Sequence, residues 1–317
     1  MSSRFFCLSQ WGRGRADLTH MVTDQNEQTL ARAAIIAGIG LHTGVTVRMV
    51  VRPAPAGTGV VFVRSDITDR DNRVPALAHY VTQTRLGTVI TNDAGVSVST
   101  IEHVMAAFAA LGVDNVYAEL DGPEVPIMDG SSLPFVQILD QAGFRRQATP
   151  QTVIEILKRI EVFEDDKSAT LVPCDRFEVR FEIDFPGSPI GHQAVDLVVT
   201  EQSFREELAA ARTFGFLQGV EALRAAGLAR GGSLDNAIVI DGDVILNEGG
   251  LRFTDEFVRH KALDAIGDLY VLGMPIIGRF EGIRAGHGLN NALVRALLSA
   301  PDSYRIVTRG ADLAEVG

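Results

Sequence analysis

Cysteine is scarce in this chain: Cys7 and Cys174 are the only two in 317 residues, and they form no Cys-x-x-Cys pair. That excludes a disulfide scaffold and a cysteine-built zinc or redox motif, and both are expected to be free thiols in a reducing compartment. Basic charge is also short, with 29 Lys and Arg against 40 Asp and Glu and a net charge of -11. The counterion-release term behind nucleic-acid or anionic-membrane binding needs clustered cations, so no nucleic-acid partner is expected. No run approaches the roughly 18 to 20 apolar residues that span a bilayer, and the basic N-terminus lacks the apolar stretch of a signal peptide. The expected protein is therefore soluble and cytoplasmic. His-Glu-x-x-His, Gly-x-Ser-x-Gly and Walker A patterns are absent as well, which removes the commonest hydrolase and NTPase signatures.

The patterning that is present points to an α+β protein. Residues 46–53 and 58–66, TVRMVVRP and TGVVFVRSD, are valine-rich and separated by a Pro/Ala/Gly turn, which predicts a hairpin. Residues 168–173 and 176–184 predict a second one; in the latter Phe177, Val179, Phe181 and Ile183 alternate with charged residues, so one face is buried. Each pair is followed at a distance by a strongly helical segment, 99–111 and 255–273. Two halves of related plan are expected, cut near the polar stretch 145–151 into 28–148 and 149–300, with a flexible leader over 1–27 and a tail over 301–317. Met21 is an alternative start. Residues 214–235 form an apolar helical piece framed by glycines, read either as a surface helix or as a movable insertion whose Phe216, Leu217, Val220, Leu223 and Leu228 line a groove.

Three of the seven histidines stand in suggestive surroundings. Glu102 and His103 open an apolar-striped helix; Ser99 and Glu102 have capping-box spacing, but an adjacent Glu and His also supply what a hydrolytic metal site needs, a neutral imidazole and a proton acceptor. His260 and Asp264 are four apart, on one face of a helix that Thr254 would cap and Gly273 and Pro275 would stop, with Lys261 and Asp268 flanking the same stripe. The rest of that helix is apolar, an expensive place for four unpartnered polar groups. His287 lies between glycines in AGHGLNN, on a loop free to approach a substrate or to make a local turn bond. GIGLHTG (38–44) has the glycines of a tight turn, and Asp114, Asn115, Asp121, Glu124 and Asp129 read mainly as turn chemistry.

Six ordered strings, GIGLHTG (38–44), TIEHVMAAFAALGVDN (100–115), EVPIMDGSS (124–132), ARTFGF (211–216), RHKALDAIGDLYVLG (259–273) and AGHGLNNALVRALL (285–298), resemble the UDP-3-O-acyl-N-acetylglucosamine deacetylases of lipid A biosynthesis, from about residue 28 to about 300. The resemblance implies two related β-α-α-β sandwich domains packed together, each with an insertion and with the active site between them. It implies a metal site of His103, His260 and Asp264 holding Zn2+, with Fe2+ an alternative occupant. It further implies Glu102 as general base, His287 as general acid, Thr213 as oxyanion donor, Asp268 as the group that orients His287, and Phe214 and Lys261 as substrate contacts. The insertion at about 214–235 would be the passage for the fatty acyl chain. The implied substrate is UDP-3-O-acyl-N-acetylglucosamine, hydrolysed at its acetamide to acetate and the free amine; nothing in the sequence demands more than a monomer.

Two other classes remain open. Two histidines and a carboxylate are also the facial triad of non-haem iron oxygenases, in which Glu102 would be incidental. A nucleotide-sugar binding protein with a structural metal is the other, although such a metal usually has four protein ligands.

Overall fold

The computed structural model describes residues 26–309. The expected leader, with Cys7 and Met21, therefore lies outside the described residues except for Asn26 and Glu27, which belong to the first strand. The first half runs β1 (Asn26–Leu30), β2 (Ala34–Ile39), β3 (Thr46–Pro53), β4 (Val60–Arg64), β5 (Arg73–Pro75), β6 (Val81–Gln83), β7 (Val89–Thr91), β8 (Ser97–Val98), α1 (Glu102–Ala110), β9 (Val116–Leu120), α2 (Leu133–Ala142) and β10 (Phe144–Pro150). The second runs β11 (Thr152–Ile156), β12 (Ile160–Glu164), β13 (Lys167–Val172), β14 (Phe177–Phe185), β15 (Gly191–Val198), the single turn α3 (Glu201–Ser203), β16 (Phe214–Phe216), α4 (Leu217–Ala225), β17 (Ile238–Asp241), β18 (Val244–Ile245), α5 (Glu256–Leu269), β19 (Ile276–Ile283), α6 (His287–Leu298) and β20 (Tyr304–Thr308).

The protein is α+β, and its two larger sheets share one plan. The first has the order β2-β3-β9-β4-β5, with β9 antiparallel to β3 and parallel to β4. In the second, β19 is antiparallel to β13 and parallel to β14, flanked by β12 and β15 in the same way. Neither predicted hairpin exists as such: β3 and β4 never pair, and neither do β13 and β14, because a strand from the far side of a helix enters between them. The alternation was read correctly as strands, with Val179, Phe181 and Ile183 buried; a local period cannot say which strands are neighbours. Each half also carries a small three-stranded sheet, β6-β7-β8 and β16-β17-β18. The latter runs from Phe214 to Ile245, with the expected apolar segment 214–235 at its start.

Two further features concern the ends of the halves. The polar stretch at the expected boundary forms β10, antiparallel to β1. The expected tail opens with a 3-10 turn, Pro301–Ser303, followed by β20, which pairs with β11 in the second sheet, so the chain stays in the fold at least to Thr308.

Helices α1 and α5 pack at the middle of one continuous core. Gly267 makes this approach close: a Cβ there would fall onto the carbonyl oxygen of Glu102 and 3.0 Å from the backbone nitrogen of Ala106. Gly267→Ala is therefore expected to force the helices apart and to cost about 1–3 kcal/mol, the range for overpacking a core. Thermal unfolding of the variant would check it, and an unchanged midpoint would refute the close-approach account. Glycine is otherwise a poor choice inside a helix.

Candidate active site and metal centre

The crossing of α1 and α5 brings His103 from the first half against His260 and Asp264 from the second. Their ligand atoms all lie within 4.8 Å of one another, and all three residues are buried. The Nε2 atoms of His103 and His260 stand 3.5 Å and 3.3 Å from Asp264 Oδ1, with the rings edge to face. Asp264 Oδ1 is buried and accepts no hydrogen bond, an unusual cost for a carboxylate oxygen unless another group completes it. His260 Nδ1 donates to the carbonyl of Ala211 at 3.1 Å, which leaves Nε2 as a free lone pair. Burial pushes His260 down to about 3, so the ring is neutral, as a ligand must be. Burial works to raise Asp264, but His260 and Lys261 beside it hold the carboxyl well below the usual carboxylate range. Two imidazole nitrogens and one ionised carboxylate oxygen gathered this closely are a donor set that fits a divalent cation.

The Ala211 carbonyl is itself held in place. Glu256, fully buried in the first turn of α5, accepts from the Arg212 backbone N–H at 3.0 Å and from its guanidinium at 2.8 Å. No side chain caps α5; the turn that Thr254 was expected to cap begins after Asp255 instead.

Glu102 is 3 % exposed and lies next to this cluster at the start of α1. The capping-box expectation fails: the helix start has no side-chain cap, Ser99 Oγ donates to the Pro123 carbonyl, and Glu102 Oε2 accepts from the Thr88 backbone N–H at 2.9 Å. Gly87 leaves room for the other oxygen, since a Cβ there would be 2.9 Å from Oε1. Burial raises Glu102 above its ordinary value, with Asp268 and Asp264 adding to it and His287 and His103 opposing.

His287 is the first residue of α6 rather than a loop residue. Its Nδ1 meets Asp268 Oδ2 at 2.8 Å, and its Nε2 lies 4.0 Å from Asp264 Oδ2. Burial opposes the charged ring, but Asp268, with Glu102 and Asp264, outweighs it and raises His287 to about 9. At neutral pH the ring is thus cationic, with Nε2–H turned from Asp268. Lys261 donates to Asp264 Oδ2 at 2.8 Å and lies 5.7 Å above the Phe214 ring, which packs edge-on against Phe257. Thr213 is half-buried; its backbone N–H donates to the Gly130 carbonyl at 2.8 Å, and a Cβ on Gly130 would fall onto the Asn236 carbonyl.

All nine expected site residues fall in one region of the fold or beside it. Sequence reasoning missed Glu124, which was read as turn chemistry. It is buried and accepts from the backbone N–H groups of His42 and Thr43 and from the hydroxyls of Thr43 and Thr100, so it holds the GIGLHTG turn. That turn in turn packs on the second half, with Gly231 N–H donating to the Leu41 carbonyl at 3.0 Å. Glu256, Thr88 and Asn290 were missed too, and nothing in their local spacing marks them. A cavity of about 740 Å³ at the C-terminal ends of α1 and α5 carries none of this chemistry.

Residues 27–299 match the family model described as UDP-3-O-acyl N-acetylglycosamine deacetylase. A UDP-3-O-acyl-N-acetylglucosamine deacetylase of Phenylobacterium zucineum is 61% identical over 289 residues, covering 91% of this chain and 99% of that protein. Proteins of the same name from Myxococcus xanthus and Chromohalobacter salexigens are 50% and 51% identical, over 89% of this chain and 89% and 93% of their own lengths.

Proposed function

From the premise that the chain belongs to the UDP-3-O-acyl N-acetylglycosamine deacetylase family, we propose that it hydrolyses the acetamide of UDP-3-O-acyl-N-acetylglucosamine to the free amine and acetate, a step of lipid A biosynthesis. The observation that carries the reading is the unpartnered, buried Oδ1 of Asp264 facing two histidine Nε2 atoms beside Glu102 and the Asp268-held His287. His103, His260 and Asp264 would hold Zn2+, with Fe2+ an alternative for the same donors. Bound there, the cation supplies Lewis acidity, lowering the pKa of water and drawing electron density from the acetamide carbonyl.

The remaining steps belong to the protein's own groups. Glu102 takes the proton of the attacking water as its oxygen bonds to the carbonyl carbon. The Thr213 side chain and cationic His287 stabilise the resulting oxyanion. His287 then passes its Nε2 proton to the sugar nitrogen as the C–N bond breaks. Because Nδ1 is engaged by Asp268, Nε2 is the nitrogen left for this transfer. Lys261 and Phe214 contact the substrate at the rim, and α4, which buries none of its residues, lies in the insertion assigned to the acyl chain. An oxygenase triad would leave Glu102 and the Asp268–His287 pair without a task.

No described helix is long and apolar enough to cross a membrane; the reading includes a monomer acting in the cytoplasm. It is tested by acetate release from UDP-3-O-acyl-N-acetylglucosamine before and after chelation, with metal content measured alongside. Release should fall as the metal is stripped and return with Zn2+. Turnover that survives complete removal of metal would overturn the assignment of the three ligands.

A further inference from the structure

Thr88 touches two of the carboxylates that the proposed reaction depends on, the base and the partner of the acid. Its backbone N–H donates to Glu102 Oε2 at 2.9 Å, and its hydroxyl donates to Asp268 Oδ1 at 2.5 Å. Its carbonyl accepts from Ile101 N–H at 3.4 Å, the residue just before Glu102, so Thr88 is tied to the start of α1 from both sides of its peptide. Thr88 is 2 % exposed and Asp268 3 %, so water does not substitute for either bond. Asp268 Oδ2 meanwhile receives Asn290 Nδ2 at 2.9 Å and His287 Nδ1 at 2.8 Å. With the hydroxyl on one oxygen and these two groups on the other, the carboxylate cannot rotate without breaking a buried bond.

We propose that Thr88 is a positioning residue for the deacetylation: its amide fixes the base and its hydroxyl fixes the aspartate that aims His287, so one first-half residue aligns the acid and base carried by the two halves. The hydroxyl acts through Asp268 and touches no substrate. The preceding Gly87 belongs to the same device, since any side chain there would crowd Glu102 Oε1. The inference rests on the deacetylase reading above.

Thr88→Val keeps the shape and the backbone N–H but deletes the donor, and Thr88→Ser keeps the donor. Thr88→Val should lower kcat for acetate release by roughly 10- to 100-fold, the cost typical of residues that orient catalytic groups from behind, with KM within about twofold of the parent. Thr88→Ser should recover most of the loss. In an Asp268→Ala background Thr88→Val should cost little more, because the hydroxyl has lost the group through which it acts. Parental kcat in Thr88→Val, a Thr88→Ser as poor as Thr88→Val, or the same fold loss in both backgrounds would each overturn the proposal while the parent enzyme still turns over. A parent protein that is folded, metal-loaded and releases no acetate would instead overturn the deacetylase reading itself.

Discussion

Glu102→Gln should lower kcat for acetate release by roughly 10²- to 10⁴-fold, the range for removing a general base, with KM changed far less. The amide is close to isosteric, and its oxygen can still accept from the Thr88 N–H that now bonds Oε2. The α1 start, the Gly267 contact and the three ligands should therefore survive, and metal content and the unfolding midpoint are expected to match the parent. What disappears is the proton acceptor. Burial has already raised this carboxyl, which makes it a stronger base than a solvated glutamate while His287 and His103 keep it from rising further. Glu102→Ala should be as inactive and somewhat less stable, because it leaves the Thr88 N–H unpaired in a buried site. A Glu102→Gln enzyme within a few-fold of the parent would remove Glu102 from the mechanism.

How much of this was legible in the sequence depends on the range over which each signal acts. His260, Asp264 and Asp268 share one helix, and helical spacing places them on one side whatever surrounds them. Their burial was foreseeable from the apolar residues between them. His103 joins them only because α1 crosses α5 at Gly267, a contact between residues more than 150 positions apart that no local pattern encodes. The same limit explains the hairpins. Valine alternation identifies β3, β4, β13 and β14 as strands, but β9 and β19 enter between them through long-range hydrogen bonds.

Polar residues were misread or passed over where their partners are distant. Glu124 was read as turn chemistry and Glu256 was not singled out, yet each is buried and accepts from backbone N–H groups of a motif elsewhere in the chain, His42 and Thr43 for the first and Arg212 for the second. Thr88 carries no sequence mark at all, since its value lies in reaching Asp268 across the two halves. The strand over Tyr304–Thr308 fell into the expected tail because the motifs end near residue 300; in the structure Ile306 is exposed, as suits a strand at the end of its sheet path.

The acid side of the mechanism gives the second large effect. A base that must be ionised and an acid that must be protonated give a rate that rises as Glu102 loses its proton and falls as His287 loses its own. Since His287 is raised to about 9 in the protein alone, the falling limb is expected at or below that pH, because a divalent cation held by Asp264 would repel the imidazolium and move the limb downward. His287→Ala should cost roughly 10²- to 10⁴-fold in kcat and should abolish the falling limb, since the group that titrates there is gone. Asp268→Ala separates this from simple loss of a contact. It leaves the imidazole in place but removes the anion that chiefly holds its charge against burial, so the falling limb should move to lower pH as kcat drops. These two variants predict different profiles from the same site, one losing the limb and the other displacing it. A bell unchanged in both would mean that the proton given to the leaving amine comes from another group, and His287 would then have to be read as an electrostatic partner of the oxyanion alone.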